Sequence, residues 1–256
     1  MNEIKRHLLT NANIQEKSAL IWNIADTLRG LYKPHEYGEV ILPMTVIKRF
    51  HDTLLPTRGK VLAEVEKRKN LEVKDGFLRR ASGYTFYNTS LYTFDSLLAD
   101  ADNIEANFRA YLNGFSENVQ DVLDNFEMDT HITKLAKSGK LFQVIQEFNT
   151  AKGYMGADKI SATDMGYLFE DLVKRFSESY NEDAGAHFTS RDIIYLMTDI
   201  LLENEKVELE SEGVVKSVYD QTMGTSQMLT AMEERLKLLD RDANVSMYGQ
   251  ELNGET

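Results

Sequence analysis

The sequence predicts a mainly α-helical protein whose final part changes to an α/β pattern. Over residues 1–155, apolar side chains recur at the three- and four-residue spacing of amphipathic helices, and no alternating strand pattern of any length interrupts them. From residue 187 the order is a turn, an apolar helix, a β-branched run, a small-residue turn, a second helix and a second short apolar run. That order is how a doubly wound α/β half that binds a nucleoside begins.

Composition narrows the class of protein. The chain has 256 residues, enough for one large domain or two small ones. It contains no cysteine, which excludes disulfides, zinc–thiolate sites and thiol nucleophiles. The histidines show no metal-ligand spacing, so we predict no metal site. With neither a signal peptide pattern nor a long apolar run, we expect a cytoplasmic protein without a membrane partner.

The formal net charge of −12 is unevenly distributed. Residues 1–80 hold 15 Lys+Arg against 10 Asp+Glu, a net +5, and residues 81–256 hold 14 against 31, a net −17. The acidic total argues against the chain holding a phosphate backbone alone, because that affinity is largely electrostatic. The basic residues of region 58–80 are interrupted by acidic ones, so they form either a solvated helix face or a phosphate-contacting surface of an assembled complex. The candidate DNA contacts are Arg58, Lys60, Lys67 and Arg68.

Helical period defines the elements of the first domain. Gly30 and Pro34 end the first helix, and Pro43 either starts or kinks the second, since its missing N–H is harmless only in a first turn. An aromatic, turn-rich connector follows at 81–93, and Gly153 and Gly156 mark a break. The predicted helices cover about 15–31, 36–55, 58–70, 91–99, 103–126 and 139–149, and residues 1–13 are expected to form a loose arm.

A connecting helix joins the two patterns. Ser161 to Asp164 caps a helix that runs to about Tyr180 with a buried apolar stripe, and Asn181 to His187 reads as a polar loop. We therefore predict a helical domain over 1–155. The connecting helix and the first βαβ part of a second domain are predicted over 156–256.

The turn after the first predicted strand is the candidate ligand-binding site. Asp220-x-Thr222-x-Gly224-Thr225 lies between a β-branched run and a helix, where small residues allow a ligand to approach the backbone and the helix N-terminus offers free N–H groups. An ordinary strand–turn–helix connection is the alternative. Glu251 ends the next apolar run, 31 residues after Asp220, where a carboxylate hydrogen-bonds a ribose diol in nucleoside-binding α/β halves.

These motifs resemble a known family. Gly185 to Arg191 is similar to the segment before the cofactor loop of adenine-specific DNA methyltransferases, Asp220 to Met228 resembles their S-adenosylmethionine loop, and Tyr248 to Asn253 resembles their ribose-binding strand end. The helix over 22–31 and the stretch Val40 to Asp52 resemble the helical N-terminal domain of the modification subunit of type I restriction-modification systems. The resemblance implies that the second domain is a Rossmann-like methyltransferase domain. It implies cofactor contacts from His187, Phe188, Thr189, Asp220, Thr222, Gly224, Thr225, Ser226 and Glu251.

The chain departs from the family pattern in two ways. In the loop, Gln221, Met223, Ser226 and Gln227 replace the family's Pro, Cys and last two Gly, and Ser190 replaces a Pro before it. In addition, the family's catalytic Asn-Pro-Pro-aromatic motif, which holds a flipped adenine, has no counterpart, because the last proline is at position 56. We therefore expect an N-terminal fragment or truncated relative that carries no catalytic residue and is inactive alone.

The resemblance implies the N-terminal part of an adenine-specific, S-adenosylmethionine-dependent DNA methyltransferase subunit. Its expected partners are a specificity subunit, a second modification subunit and DNA held through the complex, with a restriction subunit as a further candidate. The alternative is a non-catalytic helical interaction module with a degenerate methyltransferase remnant. Calorimetric titration with S-adenosylmethionine discriminates between the two.

Overall fold

Two structural units make up the chain. The computed structural model describes residues 3–71, 73–179, 189, 191–203, 214–224 and 226–252. Contacts between Cα atoms group Met1–Tyr180 into one unit and Asn181–Thr256 into the other. The predicted loop Asn181 to His187 lies outside the described residues. The domain boundary after residue 155 stays a prediction.

The first unit is helical, as predicted. The α-helices of the first unit are α1 (Glu3–Leu28), α2 (Tyr37–Leu54), α3 (Arg58–Lys67), α4 (Asp75–Ser82), α5 (Phe94–Leu98), α6 (Ile104–Leu112), α7 (Glu117–Asn125), α8 (Met128–Lys137), α9 (Lys140–Phe148) and α10 (Ala162–Ser179).

None of the described helices is long and apolar enough to cross a membrane.

The ends of the helices differ from the prediction in several places. The loose arm over 1–13 is wrong from Glu3 onward, because α1 begins there. The single helix predicted over 103–126 divides into α6 and α7, since the backbone around Gly114 turns to pair with a neighbouring segment. The Thr89 N–H donates to the Gly114 carbonyl at 2.7 Å, and a Cβ at Gly114 would overlap Asn88 and Ser90. Helices α4 and α8 were not predicted.

Helix α2 is largely buried in the first unit. Its side chains Val40, Ile41, Met44 and Ile47 are 0% exposed, at the spacing of one helix face. Pro43 lies inside the helix and not in its first turn, which decides between the two positions the sequence left open. Helices α1 and α10 pack together, and the single tryptophan, Trp22, lies 5.1 Å from Phe176 between ring centroids.

Hydrogen bonds from polar side chains hold the segment that leads into α10. The Lys17 ammonium donates to the carbonyls of Lys152 and Tyr154 at 2.8 and 2.7 Å. The Asp52 carboxylate accepts the Met155 N–H at 2.7 Å, and Arg49 donates to the Met155 carbonyl. Because these donors and acceptors come from α1 and α2, the two helices together fix the backbone between α9 and α10.

The second unit has the predicted α–β–α–β order. It contains α11 (Arg191–Glu203), β1 (Val215–Asp220), α12 (Gln227–Leu239) and β2 (Asn244–Gly249), and the strands pair in parallel from Val215↔Asn244 to Asp220↔Gly249. Val218 and Val245 pack against Met232 and Leu236 of α12. On the other face, Val215, Tyr219 and Tyr248 stay exposed. A helical unit is thus followed by the first β–α–β part of an α/β domain, which confirms the predicted fold class.

Candidate cofactor site

The carboxyl ends of the two strands carry the predicted motif. Because β1 and β2 run in parallel and end in register at Asp220 and Gly249, the loops that follow them lie side by side. Their backbones continue the pairing: the Gln250 N–H donates to the Asp220 carbonyl and the Met223 N–H donates to the Gln250 carbonyl, both at 2.9 Å. This edge of a parallel sheet is where open α/β folds bind ligands.

Glu251 contacts the loop directly. Its Oε2 accepts the Gly224 N–H at 2.9 Å, and its Oε1 accepts the N–H of Leu252 at 2.8 Å. Both carboxylate oxygens of Glu251 thus accept backbone N–H groups, one from the loop after β1 and one from its own loop. The two residues singled out in the sequence, 27 positions apart, therefore meet at one point.

The loop adopts a left-handed turn before α12. Gly224 has φ 50° and Ser226, which precedes α12, has φ 64°. Asp220 Oδ1 accepts the Thr222 N–H at 3.0 Å and so holds the start of the turn. A left-handed backbone is unstrained for glycine and disfavoured for serine, which explains why a glycine suits position 226.

Met223 and Gly249 form a close contact that the sequence did not reveal. A Cβ added at Gly249 would overlap the Met223 Sδ and approach Leu229. The Ser226 hydroxyl lies 3.5 Å from the same sulfur. Met223 therefore packs over the end of β2, and a side chain at position 249 would have to displace the flexible Met223 side chain. A glycine that ends an apolar run was the available signal.

The structure brings together part of the predicted cofactor set. Asp220, Thr222, Gly224, Ser226 and Glu251 surround the turn described above. Thr189, two residues before α11 begins, is exposed. His187, Phe188 and Thr225 lie outside the described residues, so their part in the site stays a prediction.

The four candidate DNA contacts have different surroundings. Arg58 donates to the Ser90 and Leu91 carbonyls, and its Nε is buried without a hydrogen-bond partner. Arg68 forms an ion pair with Glu64 and stacks 3.9 Å from the Phe77 ring centroid. Lys60 and Lys67 are exposed. The two guanidinium groups thus serve contacts within the first unit, whereas the two ammonium groups face solvent.

A helical unit is followed by a βαβ unit in which Glu251, after the second strand, contacts the loop after the first. This architecture is that of a helical N-terminal domain followed by the start of a methyltransferase domain, and the family models show that class. Residues 18–148 match the model described as the HsdM N-terminal domain, and residues 160–256 match the model described as N-6 DNA Methylase. The chain belongs to the family of type I restriction-modification methylase subunits and corresponds to their N-terminal portion.

A known methylase subunit is similar to this chain over most of the chain's length. The chain is 21% identical over 279 aligned positions to the type I restriction enzyme MpnII methylase subunit of Mycoplasma pneumoniae, and the match covers 92% of this chain. The chain spans about half the length of that relative, 47%.

Proposed function

We propose that the second unit binds S-adenosylmethionine at the Asp220–Glu251 loop pair. The observation that carries the proposal is the 2.9 Å hydrogen bond from the Gly224 N–H to Glu251, which joins the loop after β1 to the acidic end of β2. Membership in a methylase family supports the same ligand. We further propose that the chain acts in the methylation of adenine at its exocyclic amine in DNA.

The residues at the turn fit this cofactor. Glu251 places a carboxylate, the acceptor that ribose hydroxyls require, at the edge of the turn, and the first turn of α12 offers backbone N–H groups with no partner within the helix. Gly224 leaves the backbone open to close approach. The cofactor, when bound, supplies an activated methyl group. The residues of this chain bind and orient it.

The binding test is calorimetric titration of the full chain with S-adenosylmethionine. Glu251→Gln keeps the size of the side chain but removes its charge, so it is expected to weaken binding by roughly tenfold to a hundredfold, the value of a charge-assisted hydrogen-bond pair. Glu203→Gln, at the end of α11, removes the same charge elsewhere in the second unit and should leave the affinity unchanged. Equal effects of the two variants would contradict a ribose contact by Glu251.

Ser226→Gly tests the loop geometry. Glycine adopts the left-handed backbone without the roughly 1–2 kcal/mol that a side chain adds there, so a tighter complex is expected. Gln227 begins α12 in helical geometry and does not need this change. If neither the natural chain nor the Ser226→Gly variant releases heat at millimolar cofactor, the cofactor proposal fails.

The alternative function is a helical interaction module whose second unit binds no cofactor. One observation favours it: Met223 and Ser226 place side chains at the turn, with the Met223 sulfur packed over Gly249. The titration above separates the two functions. Absence of binding with a folded second unit would support the module.

We also propose that the chain contacts DNA only in a complex with a specificity subunit and a second modification subunit, and that a restriction subunit can join it. A DNA substrate implies a cytoplasmic location. The net charge of −17 over residues 81–256 supports dependence on partners, since repulsion opposes binding by this chain alone. Lys60 and Lys67 are the two candidate contacts whose charged groups face solvent.

Neutralising these lysines in the assembled complex tests the DNA proposal. Lys60→Gln with Lys67→Gln is expected to weaken binding similarly on all DNA sequences and to lower the slope of log affinity against log salt by about 2, one for each phosphate contact. Gel-shift titrations at two salt concentrations measure both quantities. The pair Lys137→Gln with Lys159→Gln, two exposed lysines of the first unit, is the matched control. An unchanged salt slope would assign Lys60 and Lys67 to a solvated face.

A further inference from the structure

A cavity of about 220 Å³ opens between α6, α7 and α8 of the first unit. Its floor is apolar and belongs to the hydrophobic core: Leu112, Leu123, Met128 and Ile132 are each 8% exposed or less. Small-molecule pockets are usually larger, at roughly 300–1,000 Å³. The volume therefore suits one or two side chains of a protein partner better than a free ligand.

The rim of this α6–α8 cavity is acidic. Asp124, Glu127 and Asp129 line it and are exposed. Among the residues that the structure describes, Asp124 and Glu127 form no ion pair, so their charges are available to a partner. Glu127 has a left-handed backbone with φ 50° at the turn between α7 and α8, which sets its position at the rim.

Arg109, the cation among the described residues that line the cavity, pairs with one carboxylate of this rim and leaves the other two charged. Arg109 donates to Glu105 at 3.0 Å and to the Thr133 hydroxyl at 2.8 Å, and it pairs with Asp129. Its guanidinium group is therefore committed to neighbours within the unit. Three carboxylates against one arginine leave the cavity with a net negative charge.

We propose that the α6–α8 cavity is a docking site for an arginine side chain of a protein partner, with an apolar side chain beside it. The aliphatic stem of arginine packs on apolar surface while its head stays polar, which matches an apolar floor below an acidic rim. The planar guanidinium binds carboxylates through paired hydrogen bonds, and arginine is enriched among the residues that anchor protein interfaces. This assignment is independent of the proposed cofactor and DNA contacts.

The test is an amide-resolved NMR titration of the full chain with N-acetyl-arginine amide. The expected shifts lie on residues that line the cavity, with a dissociation constant on the order of millimolar, as for a ligand of this size. N-acetyl-citrulline amide has the same shape without the charge and is expected to bind at least fivefold more weakly. The variant Asp124→Asn with Glu127→Gln should lose this difference. Asp121→Asn, an exposed change on α7 outside the lining, should keep it.

Four outcomes would overturn the docking site. They are equal binding of the two probes, shifts spread over the acidic surface, tighter binding of spermidine than of the arginine probe, and sedimentation equilibrium showing a dimer that the double variant disrupts. The third would indicate a free polycation and the fourth a second copy of this chain. Emission of Trp22 next to Phe176 checks that the double variant is folded.

Discussion

Replacing Asp52 with alanine is expected to lower the free energy of unfolding of the first unit by about 3–5 kcal/mol, the usual effect of breaking a buried ion pair. The Lys48 ammonium lies 2.7 Å from Asp52 Oδ1, and the two side chains are only 3% and 1% exposed. The substitution leaves the Lys48 charge buried without its partner. It also removes the acceptor of the Met155 N–H.

Urea denaturation followed by Trp22 emission measures this loss, because the single tryptophan lies in the α1–α10 contact. Asp26→Ala is the matched control, since Asp26 and Arg29 form an ion pair whose side chains are 72% and 76% exposed. Exposed pairs contribute about 0–1 kcal/mol. A similar loss in both variants would contradict the importance of burial.

A second comparison separates the ion pair from the backbone contact. Burial raises the pKa of Asp52 even though Lys48 opposes the shift, so desolvation outweighs the attraction between the two charges. Removing both charges, in Lys48→Met with Asp52→Leu, is therefore expected to destabilise the unit less than Asp52→Ala alone. The Met155 N–H remains without its acceptor, which leaves a loss of about 1–3 kcal/mol. A double variant less stable than the single one would refute this explanation.

Acidification is expected to destabilise the first unit through His51. Burial lowers the pKa of His51 from 6.5 to about 3, and Lys48 and Arg58 act in the same direction. Between these two values the unfolded chain binds a proton that the folded chain excludes, so stability falls as the pH falls. The loss attributable to His51 is about 2–3 kcal/mol between pH 6.5 and 4.5, and it continues toward pH 3.

The neighbours of His51 explain its neutral state. Its ring stacks on Phe94 at 4.5 Å between centroids, and its Nδ1 lies 3.1 Å from the Tyr111 hydroxyl. His51→Asn has no group that titrates in this range, so its urea midpoint should depend less on pH even if it unfolds more easily at pH 7. His35→Asn, at an exposed position, should keep the natural dependence. An unchanged pH slope in His51→Asn would show that His51 is not responsible.

Local patterns in the sequence were sufficient for the main elements. The apolar stripes of α1, α2, α9, α10 and α11 recur at helical spacing and could be recognised without a structure, because a helix face depends on neighbours three and four positions away. The same holds for the β1–turn–α12–β2 order and for the position of Glu251 beside the loop after β1, because parallel strands end at the same edge of the sheet.

Packing decided the remaining features. The interruption between α6 and α7 comes from the close approach of Gly114 to Asn88 and Ser90. The contact of Gly249 with Met223 joins residues 26 positions apart. No local pattern contains such contacts, because they join residues distant in the chain.

Burial also changes how much the loss of one partner of an ion pair destabilises the protein. Lys48 and Asp52 stand four residues apart, as do Lys237 and Glu233 on the surface of α12, and both pairs look alike in the sequence. The elements packed around α2, among them Phe94 of α5 at 5.4 Å from the Lys48 ammonium and the segment that holds Met155, remove the first pair from water. Desolvation then turns an ordinary helix contact into one whose loss destabilises the unit, since a buried charge has no solvent to replace a missing partner.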